Sequence, residues 1–124
     1  MTSASIVRSK DFLTHFAEQW LAAWNSHDLE RILALYEDDF SFSSPVLNQL
    51  LPSSGGRLTG KEAARAYWSR AFAAGVNLHF EHVVSFAGVE SMVIHYKGLH
   101  GKRCAEYFRF SPAGKVAESR AHEC

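Results

Sequence analysis

The chain has 124 residues, 47% of them hydrophobic, enough for one domain, residues 1–124, that buries a core without covalent staples. Its 13 basic and 13 acidic side chains cancel, which excludes the electrostatic footprint of a nucleic-acid binder or an anionic-membrane binder. Two cysteines, Cys104 and Cys124, make neither a disulfide framework nor a metal-ligand spacing, no run reaches membrane-spanning length, and "MTSASIVRSK" lacks the apolar run of a leader. The expectation is a cytoplasmic protein whose partners are small molecules or other proteins.

From Asp11 to Asn25, Phe12, Leu13, Phe16, Trp20 and Trp24 recur every three or four residues, which predicts an amphipathic helix ended by "NSHD". Asp28 then caps a second helix with Leu29, Ile32, Leu33 and Tyr36 on one side, running to Asp38 and Asp39. "FSFSSP" is a short strand with Phe40, Phe42 and Ser44 on one face, closed by Pro45. The stretch from Val46 to Leu58 reads as a long loop, and Leu47, Leu50 and Leu51 give it an apolar underside suited to a lid. Thr59 and Glu62 make a capping box for a third helix, which carries Ala64, Tyr67, Trp68, Ala71 and Phe72 on one face and ends at Gly75. Strands follow at roughly 77–87, 89–97, 102–110 and 115–123, joined by "AGV", "KGLHG" and "SPAG" as an antiparallel meander.

In "CAEYFRF" the carboxyl of Glu106 alternates with Cys104, Phe108 and Phe110 on one face. An acid on the apolar side of a strand is costly unless protonated, hydrogen-bonded or wet. Two readings stay open: a proton donor with a raised pKa, or a carboxylate at a wet pocket mouth. His82 shares a face with Leu78, Phe80 and Val84 while the two-residue period holds, and a β-bulge would turn it over. It is read either as a catalytic base or as a satisfied structural histidine. His79, His95 and His122 alternate to the outer face with Tyr107 and Arg109, as a polar sheet face or dimer contact. Three residues apart on a strand, His79 and His82 point to opposite faces, so no metal site is expected.

Trp20, Trp24, Tyr67 and Trp68 are required as core by helical spacing, with walling a flat ligand as a second role. Met92, Ile94 and Tyr96 share one strand face, and Ala117, Ser119 and Ala121 share another of small side chains. Small residues opposite aromatics either leave a cavity or allow close helix packing.

The order of elements, with "WLAAWNSHDLERILALYEDDFSFSSP", "LTGKEAARAYW" and "YFRFSPAGKVAESRAHE", resembles the nuclear-transport-factor-2-like superfamily, in particular its SnoaL-like and ketosteroid-isomerase-like members. That resemblance implies an α+β cone, three N-terminal helices packed on a curved mixed sheet that encloses an apolar pocket, usually in homodimers that pair through the sheet. By the ketosteroid-isomerase pattern, Glu106 takes the place of the protonated acid that donates to the developing enolate; this isomerase is itself a standard example of a buried neutral carboxylic acid. Trp20 stands where the partner donor, a tyrosine, would be, and Ser44 stands where the general base, an aspartate, would be. A serine cannot shuttle that proton at neutral pH unaided, so steroid isomerisation by this route is not expected. Where the cyclase branch carries Glu-His-Trp, this chain has Glu118, Ser119 and Arg120, and the acid expected a few residues on falls at Glu123.

The reading is a cofactor-free pocket protein binding a small apolar or aromatic molecule. Glu106 and His82 are its catalytic pair, for isomerase, lyase or cyclase chemistry. Trp20, Phe42, Ser44, Tyr67, Met92, Ile94, Phe108 and Ser119 are its ligand-binding residues. The alternative is a non-catalytic ligand-binding or dimerisation module.

Overall fold

The computed structural model describes residues 9–75 and 77–124. Most of the stretch read for a leader therefore lies outside the described residues. Helix α1 (Lys10–Ser26) starts at Ser9, whose hydroxyl accepts from the Phe12 N–H, and ends at His27 in the left-handed conformation. Its apolar stripe, Leu13, Phe16, Ala17, Trp20, Ala23 and Trp24, is buried, as the spacing requires.

Asp28 caps α2 (Leu29–Leu33) as expected, accepting from the Arg31 N–H, but the helix is shorter than its apolar spacing predicts. The backbone of Leu35 accepts from Val116 and Tyr36 pairs with Val116, so the chain has already joined the sheet as β1 (Tyr36–Ser43). Asp38 and Asp39 fall where the β1 register shifts, and there both point to water.

The predicted loop holds α3 (Pro45–Leu50), a short 3₁₀ turn, Pro52–Ser54, and β2 (Arg57–Thr59). Leu47 is fully buried beneath it rather than lining a lid. The capping box does not form. Thr59 is held in β2 opposite Ser41, and Gly60, at a φ of 91° that suits glycine, takes the cap position of α4 (Lys61–Ala73) without a side-chain cap. Glu62 turns instead to Arg65, at 2.8 Å. Gly75 follows the cap residue Ala74 with φ 74° and closes the helix by donating to Phe72.

Strands β3 (Glu81–Gly88), β4 (Ser91–Lys97), β5 (Arg103–Phe110) and β6 (Val116–Glu123) form the expected antiparallel meander. Strand β1 joins β6 in parallel, giving a curved mixed sheet ordered β2-β1-β6-β5-β4-β3. β3 begins later than predicted because α1 holds the preceding residues. Asn25 clamps the Phe80 backbone at both ends (Nδ2 to Phe80 O 3.0 Å, Phe80 N to Oδ1 2.7 Å), and the His27 ring donates to Leu78 O at 2.6 Å. These groups take bonds that a sheet ladder would otherwise supply.

Cross-strand register sorts the concave face into rows. Met92, Phe108, Ser119 and Phe42 make one, Ile94, Glu106 and Ala121 the next, and Tyr96, Cys104 and Glu123 the third. Helix α1 lies over the first: Phe16 packs edge-on to Phe108 and Phe110, and Trp20 to Phe108 and Tyr96. Of the third, α1 reaches only Tyr96, through Trp20, and leaves Cys104 and Glu123 uncovered.

Candidate functional site

Over the open rows lies a cavity of about 700 Å³, within the range of small-molecule sites. Trp24, Phe42, Tyr67, Trp68, Leu78 and Phe80 make its apolar wall, Val46, Leu50 and Leu51 its rim beside α3, and Tyr96, Cys104, Glu106, Ala121 and Glu123 its sheet side. Trp68 packs on Trp24 and Phe42, so α1, β1 and α4 meet in one aromatic wall.

Glu106 is 4% exposed and still lines this cavity. Desolvation raises its carboxyl pKa to about 8, and the Tyr96 hydroxyl, donating to Oε1 at 3.3 Å, pulls the other way. At neutral pH it is therefore mainly a carboxylic acid, able to donate a hydrogen bond into an apolar space. Burial drives the Tyr96 hydroxyl far above its ordinary range, with Glu106 adding to the effect. The Tyr36 phenol, fully buried, is raised by the same two causes and accepts from Trp20 Nε1 at 3.0 Å.

The second carboxyl on the sheet side is Glu123. It pairs with Cys104 in register while Glu106 pairs with Ala121, which makes the two acids diagonal neighbours across β5 and β6, with Cα atoms about 7–8 Å apart in such a geometry. Glu123 accepts from Lys102 Nζ at 2.9 Å, and this bond raises the Lys102 pKa. Two carboxyls thus share one cavity, one desolvated and one ion-paired, the division of environments on which acid–base pairs are built. Cys104 lies between them, its thiol pKa raised by burial and then by Glu123 and Glu106.

The expected site is redrawn in several places. His82 does not meet Glu106: it lines a separate groove of about 320 Å³ between α1 and β3, with Leu13, Ala17 and Leu21. A bulge between His82 and Val84 breaks the alternation, so His82 and Ser85 share a face and bond at 2.8 Å, while Val84 pairs with His95 on the other side. Of the ligand-binding set, Phe42, Ser44 and Tyr67 line the cavity. Trp20, on the inner face of α1, and Ile94, Phe108 and Ser119 beneath that helix are sealed in the core at 1% exposure or less, and Met92 lies over the second groove. The Trp20 indole spends its N–H on Tyr36 rather than on the cavity. Ser44 is committed too: its Oγ accepts from the Val46 and Leu47 N–H groups, at 3.1 and 3.4 Å, and caps α3. Ala117 is displaced from the small-residue face by a second bulge, where Phe110 pairs with Val116.

Among the described residues no group of His, Cys, Asp and Glu could hold a metal ion, and no helix is long and apolar enough to cross a membrane. Alternation alone could have found Tyr96, Cys104, Ala121 and Glu123, which share the parity of Glu106 along the predicted strands and their register. Trp24, read as a possible wall for a flat ligand, does line the cavity, and "NSHD" does end α1; Leu78 and Phe80 depend on how α1 lies across the sheet, for which one sequence carries no signal.

A sequence profile of the SnoaL-like domain matches residues 17–119. A SnoaL-like protein of unknown function from Burkholderia thailandensis is 41% identical over 94% of this chain and 97% of that one, with a TM-score of 0.90. An NTF2-like protein of unknown function from Cytophaga hutchinsonii is 11% identical over 95% and 91% of the two chains, with a TM-score of 0.68. A putative polyketide cyclase from Sinorhizobium meliloti is 15% identical over 92% and 95%, with a TM-score of 0.69. A comparison with curated proteins finds no match. Profile, near relative and fold agree: the chain belongs to the SnoaL-like domain family, built on the nuclear-transport-factor-2-like fold.

Proposed function

We infer that the cavity binds a flat, largely apolar molecule carrying a carbonyl group, and that Glu106 donates to that carbonyl and supplies a proton to the enolate as it forms. The observation that carries this reading is a carboxyl 4% exposed, with its pKa raised to about 8, on the wall of a cavity lined by aromatics. Glu123, ion-paired to Lys102, is the proton acceptor. Donor and acceptor on one face suit a proton shift, elimination or ring closure, the chemistry of isomerases, lyases and cyclases. A structural neighbour described as a putative polyketide cyclase is in keeping with this class.

The test uses 2-acetylnaphthalene. Wild type binds it and exchanges its methyl protons with deuterium oxide, followed by NMR. Glu106→Leu, which removes the donor, loses most of the binding. Glu106→Gln keeps an N–H donor but no transferable proton, so it binds the ketone and exchanges about a hundredfold more slowly; Glu123→Gln does likewise. Equal binding and exchange in all four proteins would sink the assignment.

Binding without turnover is the second reading, favoured by Ser44, which holds the position of the resembled isomerases' base and spends its oxygen on capping α3. It predicts that Glu106→Leu loses the ligand while wild type shows no exchange.

We further propose a homodimer through the outer face of the sheet, with β3 at one edge. Val84 and Phe86, 38% and 57% exposed, stand there in register with His95 and Val93, and Tyr107 extends the second row. Light scattering is expected to give twice the 13.9 kDa chain mass for wild type and the single mass for Phe86→Lys. A wild type already at the single mass overturns it.

A further inference from the structure

The cavity carries charge that neither carboxyl accounts for. Arg70, in the last turn of α4, and His100, in the turn between β4 and β5, both line it. Lys102 is engaged with Glu123. Among the described residues, neither the Arg70 guanidinium nor the His100 ring has an ion-pair or hydrogen-bond partner. The Lys102–Glu123 pair cancels and Glu106 is largely neutral, so Arg70 leaves the lining with an uncompensated positive charge, although the chain as a whole sums to zero.

The backbone adds an independent observation. His100 stands at φ 60°, ψ 26°, the left-handed region, and is followed by Gly101 at φ 73°. A residue with a Cβ is disfavoured there, and a glycine would fit without strain. The turn instead keeps an imidazole beside the cavity, at a cost in backbone strain.

We propose that the ligand is a monoanion, a flat apolar body with a carbonyl at one end and a carboxylate at the other, the carboxylate bound by Arg70 and His100. The guanidinium fork matches a carboxylate in two parallel hydrogen bonds, and both Arg70 and His100 are exposed, placing that anchor at the water-facing end of the cavity. The aromatic wall of the same cavity takes the flat body. The proposal rests on the carbonyl-binding reading of Glu106 and adds the second anchor.

The probes are 6-acetyl-2-naphthoic acid and its methyl ester, which share the ketone and rings and differ in charge. Calorimetry is run on wild type, Arg70→Gln, His100→Gly and Glu106→Leu. Wild type is expected to bind the acid about tenfold more tightly than the ester. In Arg70→Gln that preference falls to about threefold or less while ester affinity is unchanged, and added salt weakens the acid alone. His100→Gly also lowers the preference, and it raises Tm by a few degrees as the strained residue is relieved. Equal affinities in wild type, or a preference that survives Arg70→Gln, overturn the proposal. Ester binding lost in Glu106→Leu, with no preference for the acid, removes only the anionic anchor and leaves the carbonyl reading standing. Binding of neither compound removes both.

Discussion

Replacing Glu106 with glutamine is expected to make the protein more stable than wild type at pH 9, by on the order of 4–5 kcal/mol. The carboxyl pKa rises from 4.5 in the unfolded chain to about 8 in the folded one because burial penalises the charged form. Below pH 4.5 both states hold the proton and the group has no effect on the balance. Between 4.5 and about 8 the folded protein keeps a proton that the unfolded chain has released, so stability falls by about 1.4 kcal/mol per pH unit. Above that window the folded protein contains a buried carboxylate, and the loss is complete. Urea unfolding of wild type and Glu106→Gln, from pH 4 to pH 9, gives a difference curve from which the histidines and surface acids cancel. A flat curve would mean that the carboxyl is hydrated in the folded state, and the proton-donor role would go with it.

The second large effect belongs to Trp20. Its ring is 1% exposed and packs against Trp24, Phe80, Tyr96 and Phe108, and its N–H bonds the buried Tyr36 hydroxyl. Trp20→Ala is expected to cost about 4 kcal/mol in urea unfolding, from lost burial and the cavity left behind. Trp20→Phe keeps a ring but leaves the phenol without its donor, at about 1–3 kcal/mol. Both figures treat Trp20 as the floor beneath the pocket, not as a ligand contact. A Trp20→Phe protein of unchanged stability that no longer binds 2-acetylnaphthalene would restore the ligand role.

These two residues mark how far the sequence could be read. Alternation along "CAEYFRF" was enough to set Glu106 on the inner face, since a strand has a period of two and Phe108 and Phe110 fix its phase. Helical spacing was enough for Trp20 as core. Which inner-face residues touch the cavity was not legible, because that depends on the path of α1 across the sheet: it hides Ile94 and Phe108, packs Trp20 on one side of Tyr96, and leaves the cavity side of Tyr96 and Cys104 uncovered. Bulges were equally silent. The one between His82 and Val84 carries a single extra residue, yet it decides which face every later side chain of β3 occupies; His82 stands before it, in register with Tyr96, and lines the groove against α1 instead of meeting Glu106. The capping box failed for a related reason: Thr59 met the local rule for a helix start, but pairing with Ser41 claimed it for the sheet.

The clamp of Asn25 on Phe80 separates frame from lining. Leu78 and Phe80 line the cavity, yet their backbone is fastened by two side chains at the end of α1 and not by neighbouring strands. Sequence change at Leu78 and Phe80 can therefore reshape the cavity wall without disturbing a single rung of the sheet while Asn25 stays in place.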